Sequence, residues 1–198
     1  MRKLTILLIL LVAMSYADVL FDHSYDGTID DGCSYTHPII TADDFTLSNP
    51  GRIEVIEWWA LYPHAPTGDD YVVIIYDDNN GKPGLFYDWS VTVSPTLTDT
   101  GDDCFGQDIY HHLVTLDPAD YFLAEGGTMY WLALSSLASN TIYWAAWDGG
   151  NLHHSTDGGH YWQIHNLDAM FRLSGTDNYS SIEEATWGQL KAAHSFAD

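Results

Sequence analysis

Basic side chains are nearly missing from this chain. Its 198 residues carry 6 Lys and Arg against 28 Asp and Glu, a formal net charge of −22 at pH 7. Binding to a phosphate backbone depends on clustered Lys and Arg, so the composition argues against nucleic acid as a partner. An anionic membrane surface would repel the same chain. Divalent cations and neutral sugars remain compatible with it.

Cysteine is the second scarcity, with two residues, Cys33 and Cys104. Two thiols alone do not make a four-ligand structural zinc site, and the nearby histidines show no ligand spacing. Long apolar runs are also missing after residue 14. The one such run, residues 4–14, is shorter than the about 20 residues needed to cross a bilayer. It follows Arg2 and Lys3 and precedes Ser15, Tyr16 and Ala17. A basic start, a short apolar core and a small residue at a cut site predict a secretory signal peptide over residues 1–17, cleaved after Ala17. A buried first strand is the competing reading. Export predicts a secreted or cell-surface protein with no membrane insertion once the leader is removed. In that setting a Cys33–Cys104 disulfide is the default expectation, with two free thiols as the alternative. Closing so long a loop would stabilise the fold by roughly 4 kcal/mol on the loop-entropy account.

Catalytic signatures are absent too. There is no nucleophile elbow, no zinc-protease motif and no Cys/His arrangement. Glu54 and Glu57 are not an acid/base pair on sequence grounds alone. The expectation is a protein that is not an enzyme but an extracellular binding or adhesion module, with a structural cell-envelope or matrix component as the alternative and a glycoside hydrolase as the third reading.

Material for a core is plentiful: 46% of residues are hydrophobic and 14% aromatic. Disordered acidic chains lack this. The most organised stretch is a hairpin. The run YVVIIY (71–76) is followed by a polar turn with Gly and Pro (77–84), then by LFYDWSVTV (85–93). β-branched and aromatic runs on either side of such a turn predict two antiparallel strands. Residues 72–75 are apolar throughout, as in a strand covered on both faces.

Similar short runs recur along the chain. Strands are expected near 19–21, 39–47, 52–62, 108–116, 128–135, 140–147, 151–155, 160–165 and 169–173. In the run 52–62 the alternation slips after Val55, which predicts a β-bulge near Val55 and Ile56. Residues 94–107, rich in Thr, Asp and Gly, read as a long loop carrying Cys104. The result is an all-β protein, a β-sandwich of jelly-roll-like kind. After Gly175 the chain turns polar (176–180). Ser181 and Glu184 then form a capping box that opens a short C-terminal helix over 181–195. The domains are therefore 1–17 leader, 18–175 sandwich, and 176–198 linker and helical tail.

Four features taken together carry a resemblance. They are ADDF (42–45), the run from Ile53 through Trp59, the acidic turn 77–84 behind an Ile/Tyr strand, and YWLAL (130–134) with AMFRLSG (169–175). The set resembles a broad group of secreted bacterial β-sandwich surface domains of unassigned function. It covers most of residues 39–175. The resemblance implies a jelly-roll-like sandwich and an extracellular location, and no catalytic residues.

Three candidate sites follow from residue chemistry. The first is calcium, a hard cation that takes carboxylate and carbonyl oxygens. Asp69 and Asp70, and Asp77, Asp78 and Asn79, are dense oxygen donors in turns, with Asp43–Asp44 and Asp102–Asp103 as lesser clusters. They also fit solvated turn residues. The second is a sugar subsite of Trp147, Asp148, His153 and Tyr161, where aromatic faces stack on sugar rings and polar groups bond hydroxyls. Core packing is the alternative for such aromatics. A polysaccharide or other cell-surface component would then be the partner. The third is a transition metal on histidine. The pairs His111–His112 and His153–His154 are poor chelates, because strand neighbours point to opposite faces. His153, His160 and His165 would meet only through the tertiary fold.

One further motif matches an Asp-box: Ser155, Asp157, Gly159 and Trp162 within STDGGHYW (155–162). Asp157 is expected to accept from turn amides, with Gly159 at an open dihedral and Trp162 packed beneath. This is a folding device rather than evidence of glycosidase activity.

Overall fold

The structure, a computed structural model, describes residues 17–66, 70–138 and 141–178. The leader and the C-terminal helix expected from the sequence lie outside these residues. The described chain is all-β, with two antiparallel sheets and no helix. The first sheet runs β1 (Asp18–His23), β15 (Phe171–Asp177), β4 (Gly51–Tyr62), β11 (Tyr143–Asp148) and β14 (Leu167–Ala169). Strand β2 (Asp31–Ser34) pairs with β11. Strands β8 (Gln107–Thr115) and β9 (Phe122–Ala124) pair with β4, and β7 (Thr96–Cys104) pairs with β8. The second sheet runs β13 (Gln163–Ile164), β12 (His153–Ser155), β3 (Ile40–Thr46), β10 (Met129–Ser136), β5 (Tyr71–Asp78) and β6 (Pro83–Val93).

The hairpin legible in the sequence is β5–β6, closing at Asp78 opposite Pro83. Strand β5 is covered on both faces. Val73 and Ile75 join the core shared by the two sheets. Ile74 and Tyr76 join a smaller apolar cluster on the outer side, with Trp131 and Ala42.

Strand β4 is the spine of the first sheet, and its side-chain phase changes once. Ile53 faces the shared core, and so do Ile56, Trp58, Ala60 and Tyr62. Odd positions face inward before the slip and even positions after it. The extra residue falls at Glu54, because Ser174 pairs with Val55 while Gly175 pairs with Ile53. A bulge restores the apolar residues to one face, as the sequence phase required. After the bulge, Glu57, Trp59 and Leu61 point outward, and Trp59 and Leu61 pack into a third cluster with Ile109, Ala145 and Met170.

Two expectations are corrected. Residues 94–107 are not a long loop, since Thr96–Cys104 is strand β7, paired with β8 through a turn at Phe105 and Gly106. Its Thr and Asp residues are largely solvent-facing, so no apolar alternation marks it. The two cysteines are free thiols rather than a disulfide. Cys33 belongs to the core between the sheets, whereas Cys104 packs on the outer face of the first sheet. A disulfide needs Cα atoms within about 7 Å and converging Cβ vectors, which two sides of one sheet do not supply.

Candidate functional site

Three features bear on function: a cleft, a cysteine–histidine cluster and a buried polar network. The cleft, about 520 Å³, opens where strand pairing along one edge of β3 stops. On that edge of β3, strand β12 reaches only Ile40, Thr41 and Ala42. Beyond that point Asp44, Phe45 and Thr46 face Phe21 and His23 of β1, Asp168 of β14, and the loop Gly149, Gly150 and Asn151. Gly150 is required in that wall: a Cβ there would sit 2.3 Å from the Leu167 carbonyl oxygen and 2.6 Å from Asp168 Cβ.

Charge is unevenly distributed among the acids beside the cleft. Asp43 is 1% exposed and accepts from the backbone amides of Ala169 and Asp44. Burial pushes its carboxyl well above the ordinary range, with the Asp168 and Asp44 charges adding to the effect. Asp168, joined to it by a hydrogen bond, is lowered instead, chiefly by His23. His23 Nδ1 lies 3.2 Å from Asp168 Oδ1, and that contact raises the imidazole. The two neighbouring carboxyls are thus pushed in opposite directions, Asp43 toward the neutral acid by burial and Asp168 toward the carboxylate by His23. Burial also raises Asp44, opposed by a hydrogen bond from the Asn151 carboxamide.

The four residues expected to form a sugar subsite do not converge. Trp147 is half-buried on the outer face of the first sheet, and its Nε1 donates to Thr28 Oγ1 at 3.4 Å. Its ring meets that of His23 edge-on at 6.3 Å, which places it near the cleft. Asp148 is exposed, its amide bonded to Asp30 Oδ2 at 3.1 Å. His153 is buried against Trp131, with ring centroids 4.8 Å apart, and its Nδ1 lies 2.6 Å from the Asn151 carbonyl oxygen. No sugar can reach it there. Tyr161 is 66% exposed on the Asp-box turn. The sequence missed His23, Asp44, Asn151 and Asp168 as a group, because they meet only where β1, β3 and β14 come together.

The calcium candidates fall at two ends of one strand. Asp70 precedes β5 and accepts from Ser94 Oγ at 2.5 Å. Asp77 and Asp78 end β5, so roughly 23 Å of extended chain separates the two clusters. Asp78 Oδ1 takes the Gly81 amide at 2.9 Å and the buried Trp131 indole at 3.0 Å. Asn79 Oδ1 accepts from Asn80 at 3.2 Å. These contacts hold the turn. Asp69 lies outside the described residues.

A different metal-type constellation is present. Cys33, His154 and His165 bring their ligand atoms within 4.8 Å of one another, the one such group of three among the described residues. Strand neighbours do point to opposite faces, so His153 faces Trp131 while His154 meets His165. Burial pushes the Cys33 thiol up to about 11 and lowers His154. The Asp-box forms as its residues imply. Asp157 Oδ1 accepts from the amides of His160 and Tyr161, Gly159 has a φ of 91°, and Trp162 meets Tyr76 edge-on.

The polar network lies inside the core. His112 Nε2 accepts from Tyr62 at 2.7 Å, and its Nδ1 faces the Tyr110 carbonyl oxygen at 3.3 Å. The Tyr62 and Tyr71 hydroxyls are bonded to each other, and Trp58 stacks on the imidazole at 4.7 Å. Burial lowers His112 to about 3, so it is neutral, with Nδ1 carrying the proton. No protein-family model matches this chain, and no curated protein matches it.

Proposed function

We propose that this chain is an exported, non-catalytic binding or adhesion module with a jelly-roll-like sandwich fold, and that its cleft takes a neutral sugar unit of a polysaccharide. The observation that carries this reading is the cleft lining. Phe21 offers aromatic surface beside the His23 ring, while Asp44, Asp168 and Asn151 offer hydrogen-bonding groups for hydroxyls. The volume lies within the range usual for small-molecule sites. The chain's strong negative charge disfavours anionic ligands and leaves neutral polyols unopposed.

Glycan-array binding and affinity electrophoresis in soluble polysaccharides test the reading. The wild-type protein is expected to be retarded by at least one polysaccharide, and Asp44→Ala and Asn151→Ala are expected to abolish the retardation. Equal migration of wild type and variants in every polysaccharide would rule the cleft out.

A second reading, glycoside hydrolysis, has one observation in its favour. The carboxyl of Asp44 is raised while that of Asp168 is lowered, the split that acid and base roles need. Against it, Asp168 is already engaged by His23 and by Asp43. Release of reducing ends from a bound polysaccharide would favour the hydrolase.

A further inference from the structure

We propose that Cys33 Sγ, His154 Nδ1 and His165 Nε2 form a three-ligand zinc site, with a fourth position open to water. Three separate parts of the chain supply the ligands: β2, β12, and the residue that follows β13. The sequence holds none of the short spacings that announce zinc sites, because the fold makes the site. Strand β12 sets His154 opposite Thr41 of β3. The His165 amide donates to the Leu152 carbonyl at 2.7 Å, which holds that turn against the start of β12. Cys33 pairs with Trp144 of β11 and so belongs to the other sheet. The site would therefore join the two sheets at one margin.

The donor set selects the class of ion. One thiolate and two imidazoles suit zinc and its borderline neighbours, whereas calcium and magnesium want oxygen. Zinc bonds of about 2.3 Å to sulfur and about 2.0–2.1 Å to nitrogen put tetrahedral donors roughly 3.3–3.7 Å apart. The observed ligand atoms all lie within 4.8 Å of one another, and the two imidazole nitrogens point directly at each other. The two imidazole nitrogens, in contact here, would have to separate to those spacings to admit an ion. Thr41 supports the thiol from outside, its Oγ1 lying 3.8 Å from Sγ and donating to the Ser34 carbonyl at 2.8 Å.

Cobalt(II), as a coloured stand-in, and zinc test the site on the purified full chain after chelator treatment. The wild type is expected to take up one equivalent of cobalt, with a thiolate-to-cobalt charge-transfer band in the near ultraviolet that zinc bleaches. Cys33→Ser should lose that band. His154→Ala and His165→Ala should each weaken binding more than the about 10–100-fold typical of a lost outer-shell partner. His160→Ala, exposed on the same hairpin, should bind as the wild type does. Absence of uptake by the wild type, or an unchanged band in Cys33→Ser, overturns the site. If Cys33→Ser does not fold by near-ultraviolet circular dichroism, the two histidine variants decide, since both rings are only half-buried. Wild-type affinity in both then overturns it.

Discussion

At the scale of single residues, the buried titratable groups set how stability depends on pH. His112 is neutral in the fold at about 3 and takes up its proton near 6.5 when unfolded. As pH falls below 6.5 the unfolded chain binds that proton and the folded chain does not, so stability drops until about pH 3. The groups facing the imidazole are the Tyr62 and Tyr71 hydroxyls and the Trp58 ring, with repulsion from His111 acting in the same direction. The expected loss from this residue is on the order of 3 kcal/mol by about pH 4.5, read from urea unfolding at a series of pH values. Asp43 acts at the opposite end. Its folded carboxyl is raised, so its contribution falls as pH rises through the ordinary carboxylate value toward the raised one. Asp43→Asn is therefore expected to cost less at neutral pH than Asp43→Ala, because the carboxamide stays uncharged and its one oxygen can still accept one of the two backbone amides. Asp43→Ala should cost about 1–3 kcal/mol for each amide left unpaired. A loss in Asp43→Asn as large as in Asp43→Ala would show that the charged form is the native one.

At the scale of elements, the bulge in β4 has a partner requirement. A Cβ on Gly175 would lie 1.9 Å from the Arg52 carbonyl oxygen, opposite the extra residue. Gly175→Ala is expected to destabilise the protein by at least about 3 kcal/mol, since the β4–β15 register must shift to admit it. Thermal melting monitored by circular dichroism checks this. The bulge was legible because the apolar residues of 52–62 change phase within one run. The β5–β6 hairpin was legible for a similar reason, with apolar residues at every position of a two-face-covered strand. Strand β7 was not, because Thr and Asp on a solvent-facing edge carry no alternation and owe their conformation to pairing with β8. The cleft was not legible. The adjacent acids Asp43 and Asp44 stood out, but their division of labour depends on which one points inward. His154 and His165 sit 11 residues apart, which signals nothing until β12 and β13 pair.

At the scale of the whole molecule, charge and the two-sheet arrangement combine. A net charge of −22 on the chain repels itself, and the repulsion is relieved on unfolding. The melting temperature is therefore expected to rise with sodium chloride as the Debye length shortens from about 30 Å at 0.01 M to about 10 Å at 0.1 M. A flat or falling response would mean that local pairs such as Arg52–Glu54 and Arg172–Asp22 outweigh the global term.

The opposite placement of Cys33 and Cys104 has a practical consequence. One sulfur lies within the interior and the other on the periphery. An alkylating reagent should tag a single position per native molecule, then a second once guanidinium opens the interior. The polypeptide thus carries its own chemical counter for global opening, which peptide mapping of labelled material can read without an added probe.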